Sequence, residues 1–320
     1  MSERKAAAPG RHTELGSGIE FDLVRALLAE WGHSASGVGD DAAVVQVPPG
    51  EKLLVTTDTS VEGVHFRREW LNHFEIGYRA TATALSDLAA MAARPIGVVI
   101  ALTLPPADRL EAAGLAIGIR EGASASLCPI VGGDLTAGTT LSLTVTALGS
   151  AAKPLTRSGA RAGDGVYVTG ALGGPGAAVR AWMEGKEPRE QDRARFAHPI
   201  ARIEAAIALA ARGVTSAIDI SDGLMGDLAH IAAASRVAIE IELERIPCMS
   251  GVPPIDAVGS GEEYELAVTG LGIDVSAFYD GHGLLLTEVG RIVAGPPGVQ
   301  LLHAGKKVAT PRGFDHFRRK

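Results

Sequence analysis

Aspartates set among small residues are the feature of this sequence most able to do chemistry. Asp40-Asp41, Asp58, Asp87, Asp134, and Asp219 with Asp222 mostly adjoin glycine, serine or threonine. Most also adjoin a short apolar run, in Val55-Thr56-Thr57-Asp58, Ile130-Val131-Gly132-Gly133-Asp134 and Ala217-Ile218-Asp219. Open α/β sheets gather ligand sites at strand ends. Asp87 lies instead within an apolar helical stretch, where a carboxylate is costly unless paired or metal-bound. Taken singly, each aspartate reads more readily as a helix cap or turn residue. Converging carboxylates would repel one another unless cations neutralised them. Hard oxygen ligands of this kind suit Mg²⁺, which retains waters and bridges to substrate phosphates. As a set they favour a multi-Mg²⁺ nucleotide site.

Other chemistries lack their residues. No Gly-x-x-x-x-Gly-Lys-[Ser/Thr] occurs, and neither Gly-x-Ser-x-Gly nor His-Glu-x-x-His is present, so P-loop, hydrolase and zincin readings fall away. Gly170-Ala-Leu-Gly-Gly-Pro-Gly176 reads as a tight strand-to-helix turn or as a phosphate cradle. His65 is a solvated loop histidine by default, and a substrate contact if the aspartate cluster is real. Arg157 is an exposed linker arginine or a partner for a nucleotide phosphate. Phe314 is an anchor for the C-terminal segment or a platform for a flat ring.

The elements that must position these residues follow from periodicity. Phe21, Val24, Leu27 and Leu28 have helical spacing that Gly32 ends. Short β runs are predicted at Ala42–Val47 and Leu53–Thr57, then an Ala-rich helix from about Phe74 to Ala93. A strand over Gly97–Leu104, a helix over Asp108–Ser124, a short strand ending at Gly132-Gly133-Asp134 and a strand near Leu141–Leu148 follow. Gly149 to Gly165, with Pro154, has the character of a domain junction. Beyond it come a strand at Val166–Thr169, helices from Ala177, over Pro199–Arg212 and over Leu224–Ser235, and a strand at Ala217–Ile220. Four more strands are predicted, at Val237–Leu243, Glu265–Val268, Thr287–Ile292 and Gln300–Leu302. The organisation expected is a tail over 1–16, an N-terminal domain over 17–150 and a C-terminal α/β domain over 151–320. Ser86-Asp87-Leu88-Ala89 and Gly226-Asp227-Leu228-Ala229 look alike, but such short Ala-rich matches arise by chance.

Composition bounds the class. A length of 320 residues with 46% apolar and 21% charged residues fits a soluble protein of two modest domains. A net charge of −7 argues against a nucleic-acid surface. Cys128 and Cys248 cannot make a disulfide framework or a structural zinc site. The run Ile96–Leu104 is too short to span a bilayer, so no membrane partner is expected and a cytoplasmic setting is.

The residues resemble the thiamine-monophosphate kinases, a family of the aminoimidazole ribonucleotide synthetase-like superfamily. Gly39-Asp40-Asp41-Ala42-Ala43, Thr56-Thr57-Asp58-Thr59, Gly63-Val64-His65-Phe66, Leu85-Ser86-Asp87-Leu88-Ala89-Ala90-Met91 and Gly132-Gly133-Asp134 carry the likeness. So do Leu155-Thr156-Arg157-Ser158-Gly159, Ala217-Ile218-Asp219-Ile220-Ser221-Asp222-Gly223-Leu224 and Gly261-Glu262-Glu263-Tyr264-Glu265-Leu266. The resemblance implies an α/β fold with mixed sheets in two domains, the N-terminal sheet pairing across a homodimer. It implies ATP-dependent conversion of thiamine monophosphate to thiamine diphosphate, with several Mg²⁺ ions. Under it, Asp41, Thr56, Thr57, Asp58, Asp87, Asp134, Asp219 and Asp222 would ligate Mg²⁺, with Asp58, Asp87, Asp134 and Asp219 central to catalysis. Gly133, Asp134, Arg157 and Ser221 would hold ATP, and His65, Glu262 and Phe314 would face thiamine.

The chain departs from the family pattern at three places. It has Ser260-Gly261-Glu262-Glu263-Tyr264-Glu265 where Gly-Gly-Glu-Asp-Tyr-Glu is usual, Ala84 where Asn is common, and Ala92 where Gly is common. Both alanines are helix-friendly changes that should leave the site in place. Rival readings are another ATP-using enzyme of the superfamily and a non-catalytic nucleotide-binding regulator. A selenophosphate synthetase would want a reactive Cys near the N-terminus. A hydrogenase-maturation enzyme would want a C-terminal Cys, whereas this sequence ends Phe317-Arg318-Arg319-Lys320. An aminoimidazole ribonucleotide synthetase is disfavoured by the Thr-Arg-Ser-Gly and Gly-Glu-Glu-Tyr-Glu-Leu segments.

Overall fold

The structure is a computed structural model that describes residue 12 and residues 15–311. The tail expected over 1–16 lies almost wholly outside the described residues, as does Phe314. The chain divides into two compact units. One reaches to Leu88 and takes in Arg94–Ala152; the other takes Ala89–Ala93 and resumes at Lys153.

In the first unit β1 (Lys52–Val61), β2 (Arg94–Leu104), β3 (Ile130–Ala137) and β4 (Ser142–Ala151) form a sheet in the order β1-β4-β2-β3. β1–β4 and β4–β2 are antiparallel, and β2–β3 is parallel. Alternation fixes its two faces. Val98, Ile100, Leu102 and Leu104 of β2 and Leu143, Val145 and Ala147 of β4 are buried. On β1, Leu54 is buried on that same side, while Leu53 and Val55 on the other are 52% and 59% exposed. Helices α1 (Ile19–Trp31), α2 (His73–Ala90) and α3 (Ala112–Ser124) complete the unit. The backbones of α2 and α3 approach so closely that a Cβ on Gly118 would lie 2.0 Å from the Phe74 carbonyl oxygen. Only glycine allows this contact.

The second unit is built on a seven-stranded sheet. Its strands are β5 (Gly165–Thr169), β6 (Ser216–Asp219), β7 (Ala238–Glu242), β8 (Leu266–Gly270), β9 (Leu286–Val293), β10 (Gly298–His303) and β11 (Lys306–Val308). Their order is β11-β10-β7-β9-β5-β8-β6, with only β10–β7 parallel. The helices are α4 (Gly174–Met183), α5 (Glu190–Ala197), α6 (Ile203–Ala211), α7 (Leu224–Ser235), α8 (Pro254–Ala257) and α9 (Val275–His282). Leu224, Leu228 and Ile231 of α7 recur at helical spacing and enter one core with Val166, Val168, Ile218, Ile239, Ile241 and Val289. Burial of each such side chain contributes about 1.5–3 kcal/mol.

Four expectations need correction. Ala42–Val47 forms no strand: its short Val-rich run suits one, but no neighbouring segment supplies a ladder among the described residues. Asp58 and Asp134 do not end their strands, because β1 runs on to Val61 and β3 to Ala137. Helices α5 and α9 were not expected; α5 is highly charged and carries little apolar signal. Ala92 is not helical. It follows α2 in a left-handed conformation, φ 50°, which suits the family's glycine and not alanine.

Candidate functional site

Two side-chain hydrogen bonds join β1 to α2. Thr56 Oγ1 donates to Asp87 Oδ2 at 2.5 Å, and Thr83 Oγ1 donates to Asp58 Oδ2 at 2.9 Å. Residues 56 and 58 share one strand face, about 6.7 Å apart along the strand. Residues 83 and 87 share one helix face, about 6 Å apart along the axis. The two repeats nearly match, so both bonds form together. Asp87 is thus a half-buried carboxylate satisfied by a strand hydroxyl. Asp58 is held further by the Thr59 N–H, which donates to Oδ1 at 2.9 Å.

Thr57 points the other way, with Oγ1 3.2 Å from Thr146 Oγ1 on β4. Asp41 is exposed, and its N–H donates to Asp40 Oδ1 at 3.0 Å. Gly133 shares a row across the sheet with Ile100, Val145 and Asp58. Asp134, the next residue on β3, is therefore three strands from Asp58, about 14 Å at usual strand spacing. Asp134 sits beside an apolar groove lined by Val24, Leu27, Trp31, Ile100, Leu102 and Ile119. His65 lies in the turn after β1, where the Val61 N–H donates to its Nδ1 at 3.1 Å. That bond puts a neutral ring's proton on Nε2. Arg68 anchors the same turn with a two-point grip on Glu62, at 2.6 and 2.9 Å, and a further bond to Asp108. Its guanidinium holds the Glu62 carboxyl below the usual range.

In the second unit Asp219 ends β6, and Ser221-Asp222-Gly223 turns the chain into α7. The N–H groups of Ser221, Asp222 and Gly223 all donate to Asp227 Oδ2, at 3.1, 3.2 and 3.1 Å. Asp227 is 2% exposed. Burial, then the charges of Asp219 and Asp222, push its carboxyl up to about 7. From the other side, Glu262 N–H donates to the Ser221 carbonyl at 2.7 Å, and Glu263 and Tyr264 donate to the Ile220 carbonyl at 3.1 and 2.9 Å. Glu262 and Tyr264 both adopt left-handed conformations, φ 65° and 52°, and the Tyr264 hydroxyl donates to Glu262 Oε2 at 2.7 Å. Arg157 is exposed on a tethered backbone: Ser235 Oγ donates to its carbonyl at 2.9 Å, and Ala217 N–H donates to the Thr156 carbonyl at 3.1 Å.

The Gly170–Gly176 turn holds a carboxylate from the chain itself. Glu263, fully buried, accepts the Gly173 N–H at 2.6 Å in front of α4. Its Oε2 is sealed from solvent without a hydrogen bond of normal geometry. Burial pushes the carboxyl up to about 8, against the pull of the Ser260 hydroxyl, the Gly173 N–H and Arg195. The tight-turn reading accounts for these glycines. Glu265 is gripped by Arg195 at 2.8 Å, by Arg202 at 2.5 and 2.8 Å, and by the Thr169 hydroxyl at 2.7 Å.

The sequence reading missed Thr83 and Asp227. Thr83 precedes Asp87 by one helical turn, a spacing legible in principle. Asp227 was visible only as the resemblance of its quartet to that of Asp87. Both aspartates lie on helices and bond to segments that carry candidate ligands.

The donors fit Mg²⁺. They are carboxylates and hydroxyls without sulfur or imidazole at the core, as a hard cation requires. Among the described residues no three His, Cys, Asp or Glu side chains form a ready-made metal cage. Mg²⁺ bound with a nucleotide needs only one or two carboxylates beside water and phosphate. No helix among the described residues is long and apolar enough to cross a membrane.

Fold and donors together define a class. Residues 39–151 match the AIR synthase related protein, N-terminal domain, and residues 161–300 match its C-terminal domain. The chain is 36% identical over 310 residues to a thiamine-monophosphate kinase of Rhodopirellula baltica, covering 88% of this chain and 91% of that one. A thiamine-monophosphate kinase of Escherichia coli K12 is 34% identical, covering 88% and 91%. The crystal structure of the thiamine-monophosphate kinase from Stenotrophomonas maltophilia superposes with a TM-score of 0.79 at 34% identity, covering 92% and 98%. AaThiL complexed with AMPPCP and TMP superposes at 0.74 with 30% identity, covering 93% and 97%. The chain belongs to the thiamine-monophosphate kinase family. Escherichia coli HypE, a hydrogenase maturation protein, shares the fold with a TM-score of 0.72 at 20% identity, covering 94% and 98%.

Proposed function

We propose that this protein phosphorylates thiamine monophosphate to thiamine diphosphate, with ATP as donor and Mg²⁺ as cofactor. The relative solved with AMPPCP and TMP carries this reading, since it matches nearly the whole chain. Asp58, Asp87, Asp219 and Asp222 serve as Mg²⁺ ligands, with Thr56, Thr57, Asp41 and Asp134 in supporting places. Held by these residues, Mg²⁺ would supply charge neutralisation of the donor and acceptor phosphates, which in-line transfer between two anions requires. Gly133, Asp134, Arg157 and Ser221 hold ATP, Arg157 adding positive charge from a rigid backbone. The apolar groove beside Asp134 offers a nonpolar wall for a base. His65, Glu262 and Phe314 would contact the thiamine moiety.

Transfer is direct and needs no protein base. The second pKa of a phosphate monoester is about 6, so the acceptor is already largely a dianion at neutral pH. The test is purified protein with ATP, Mg²⁺ and thiamine monophosphate. Thiamine diphosphate should accumulate, and its absence overturns the reading.

A homodimer and a cytoplasmic setting belong to the same reading. β1 is an edge strand whose outer face exposes Leu53 and Val55, a surface and an edge that invite a second copy. Light scattering should give about twice the 33.0 kDa chain mass. An active monomer at micromolar concentration rules the dimer out.

A further inference from the structure

We infer that Asp227 is a positioning residue for the acidic turn Asp219–Asp222, acting through the backbone of residues 221–223. The inference rests on the proposed role of those acids toward Mg²⁺ and phosphate.

Three consecutive N–H groups converge on the single oxygen Asp227 Oδ2, within 3.1–3.2 Å. Such a cluster of N–H groups at a helix start normally offers itself to an outside anion. Here the chain fills it from within, so a phosphate has no access to these donors. What the arrangement accomplishes is conformational. One oxygen fixes the direction of three successive peptide units, and with them the two acids on either side of Ser221.

Asp227 is itself set in the core. It is buried on α7 between Leu224, Leu228 and Ile231, which are locked in the core of the unit. The turn is also gripped from its carbonyl side, where Ile220 and Ser221 accept the N–H groups of Glu262, Glu263 and Tyr264. Asp227 therefore sets one turn that aligns two things: the acids that would meet the metal, and the strained segment that carries Glu262. A helix cap with no further role would need only one of these three bonds.

The test compares Asp227→Ala, Asp227→Asn and Asp227→Glu by Mn²⁺ binding in the presence of ATP, read by electron paramagnetic resonance. Mg²⁺ dependence of turnover and circular dichroism accompany it. Asn keeps an oxygen that can accept all three N–H groups, so it should retain Mn²⁺ affinity and Mg²⁺ half-activation near wild type. Ala removes the acceptor and should weaken both by about 10–100-fold, the usual cost of removing a residue that orients metal ligands. Glu keeps the charge but moves the oxygen by one methylene, and should also be impaired. A folded Asn variant as weak as Ala would show that the charge matters and not the positioning. Wild-type Mn²⁺ affinity in the Glu variant overturns the inference too, and remains readable if the Ala variant fails to fold. A wild-type protein that binds Mn²⁺ with ATP yet makes no thiamine diphosphate would defeat the proposed function alone.

Discussion

Glu263 should make the protein less stable as pH rises from acid to mildly alkaline, and Glu263→Gln should remove that loss. The carboxyl is fully buried, and its value in the fold is about 8 against an ordinary 4.5. For an acid shifted upward, the folded chain keeps a proton that the unfolded chain has already lost. Proton-linked stability is therefore complete below pH 4.5 and falls as pH rises toward 8. From these two values the penalty is about 2 kcal/mol at pH 6 and about 4 kcal/mol at pH 8. Gln has the same shape, keeps an acceptor for the Gly173 N–H and does not titrate. The variant's stability relative to wild type should thus improve by about 2 kcal/mol between pH 6 and pH 8. Urea unfolding at both pH values, with hydrogen exchange resolved to second-unit peptides, measures the difference. Titrating groups that do not interact with Glu263 cancel between the two proteins; Arg195, Glu265 and Cys248 interact with it. A difference that stays constant, or moves the other way, would refute the claim that Glu263 is protonated at neutral pH.

Other consequences can be read more quickly. Asp58→Asn and Asp87→Asn should each cost at least about 100-fold in kcat with the fold intact by circular dichroism; near-normal turnover at limiting Mg²⁺ would remove both from the metal machinery. Ala92→Gly should raise unfolding stability by about 1 kcal/mol, because alanine is strained at φ 50°; no gain in a thermal melt would mean that the strain is relieved elsewhere. Free thiamine, whose accepting group is a neutral hydroxyl in place of the phosphate that Mg²⁺ would grip, should be a far poorer acceptor than thiamine monophosphate. Comparable rates, or a phosphorylated enzyme trapped with labelled ATP, would exclude direct transfer.

Much of the architecture was legible because single elements carry strong periodic signals. Leu224–Ser235 reads as a helix from Leu224, Leu228 and Ile231, and its bounds agree with the structure. β2 reads as a strand from its apolar run and starts only a few residues earlier than expected. The misses share one cause: local pattern cannot report what lies beside a segment. Ala42–Val47 is a short Val-rich run of the kind strands use, and it has no ladder. Ala92 looks helix-friendly, but φ at that position is set by the chain's exit from α2 toward β2.

The site shows the same limit more sharply. The aspartates stand out in the sequence by their small neighbours, yet the sequence could not say which share a face. Thr56 and Thr57 are neighbours in the chain and lie on opposite sides of β1. Thr83, far away in sequence, is the hydroxyl that holds Asp58. Asp58 and Asp134 both read as strand-end acids, but three strands separate them, and about 14 Å is far beyond the reach of two carboxylates on one Mg²⁺ at 2.0–2.1 Å. Within one first unit, then, these two acids cannot share an ion. Asp58 accepts the Thr83 hydroxyl one residue pair along from the Thr56–Asp87 bond, whereas Asp134 lies beside an apolar groove. On the proposed reading, that division would serve two kinds of grip: charge neutralisation at the phosphates, and a nonpolar surface for the part of the nucleotide that carries no charge.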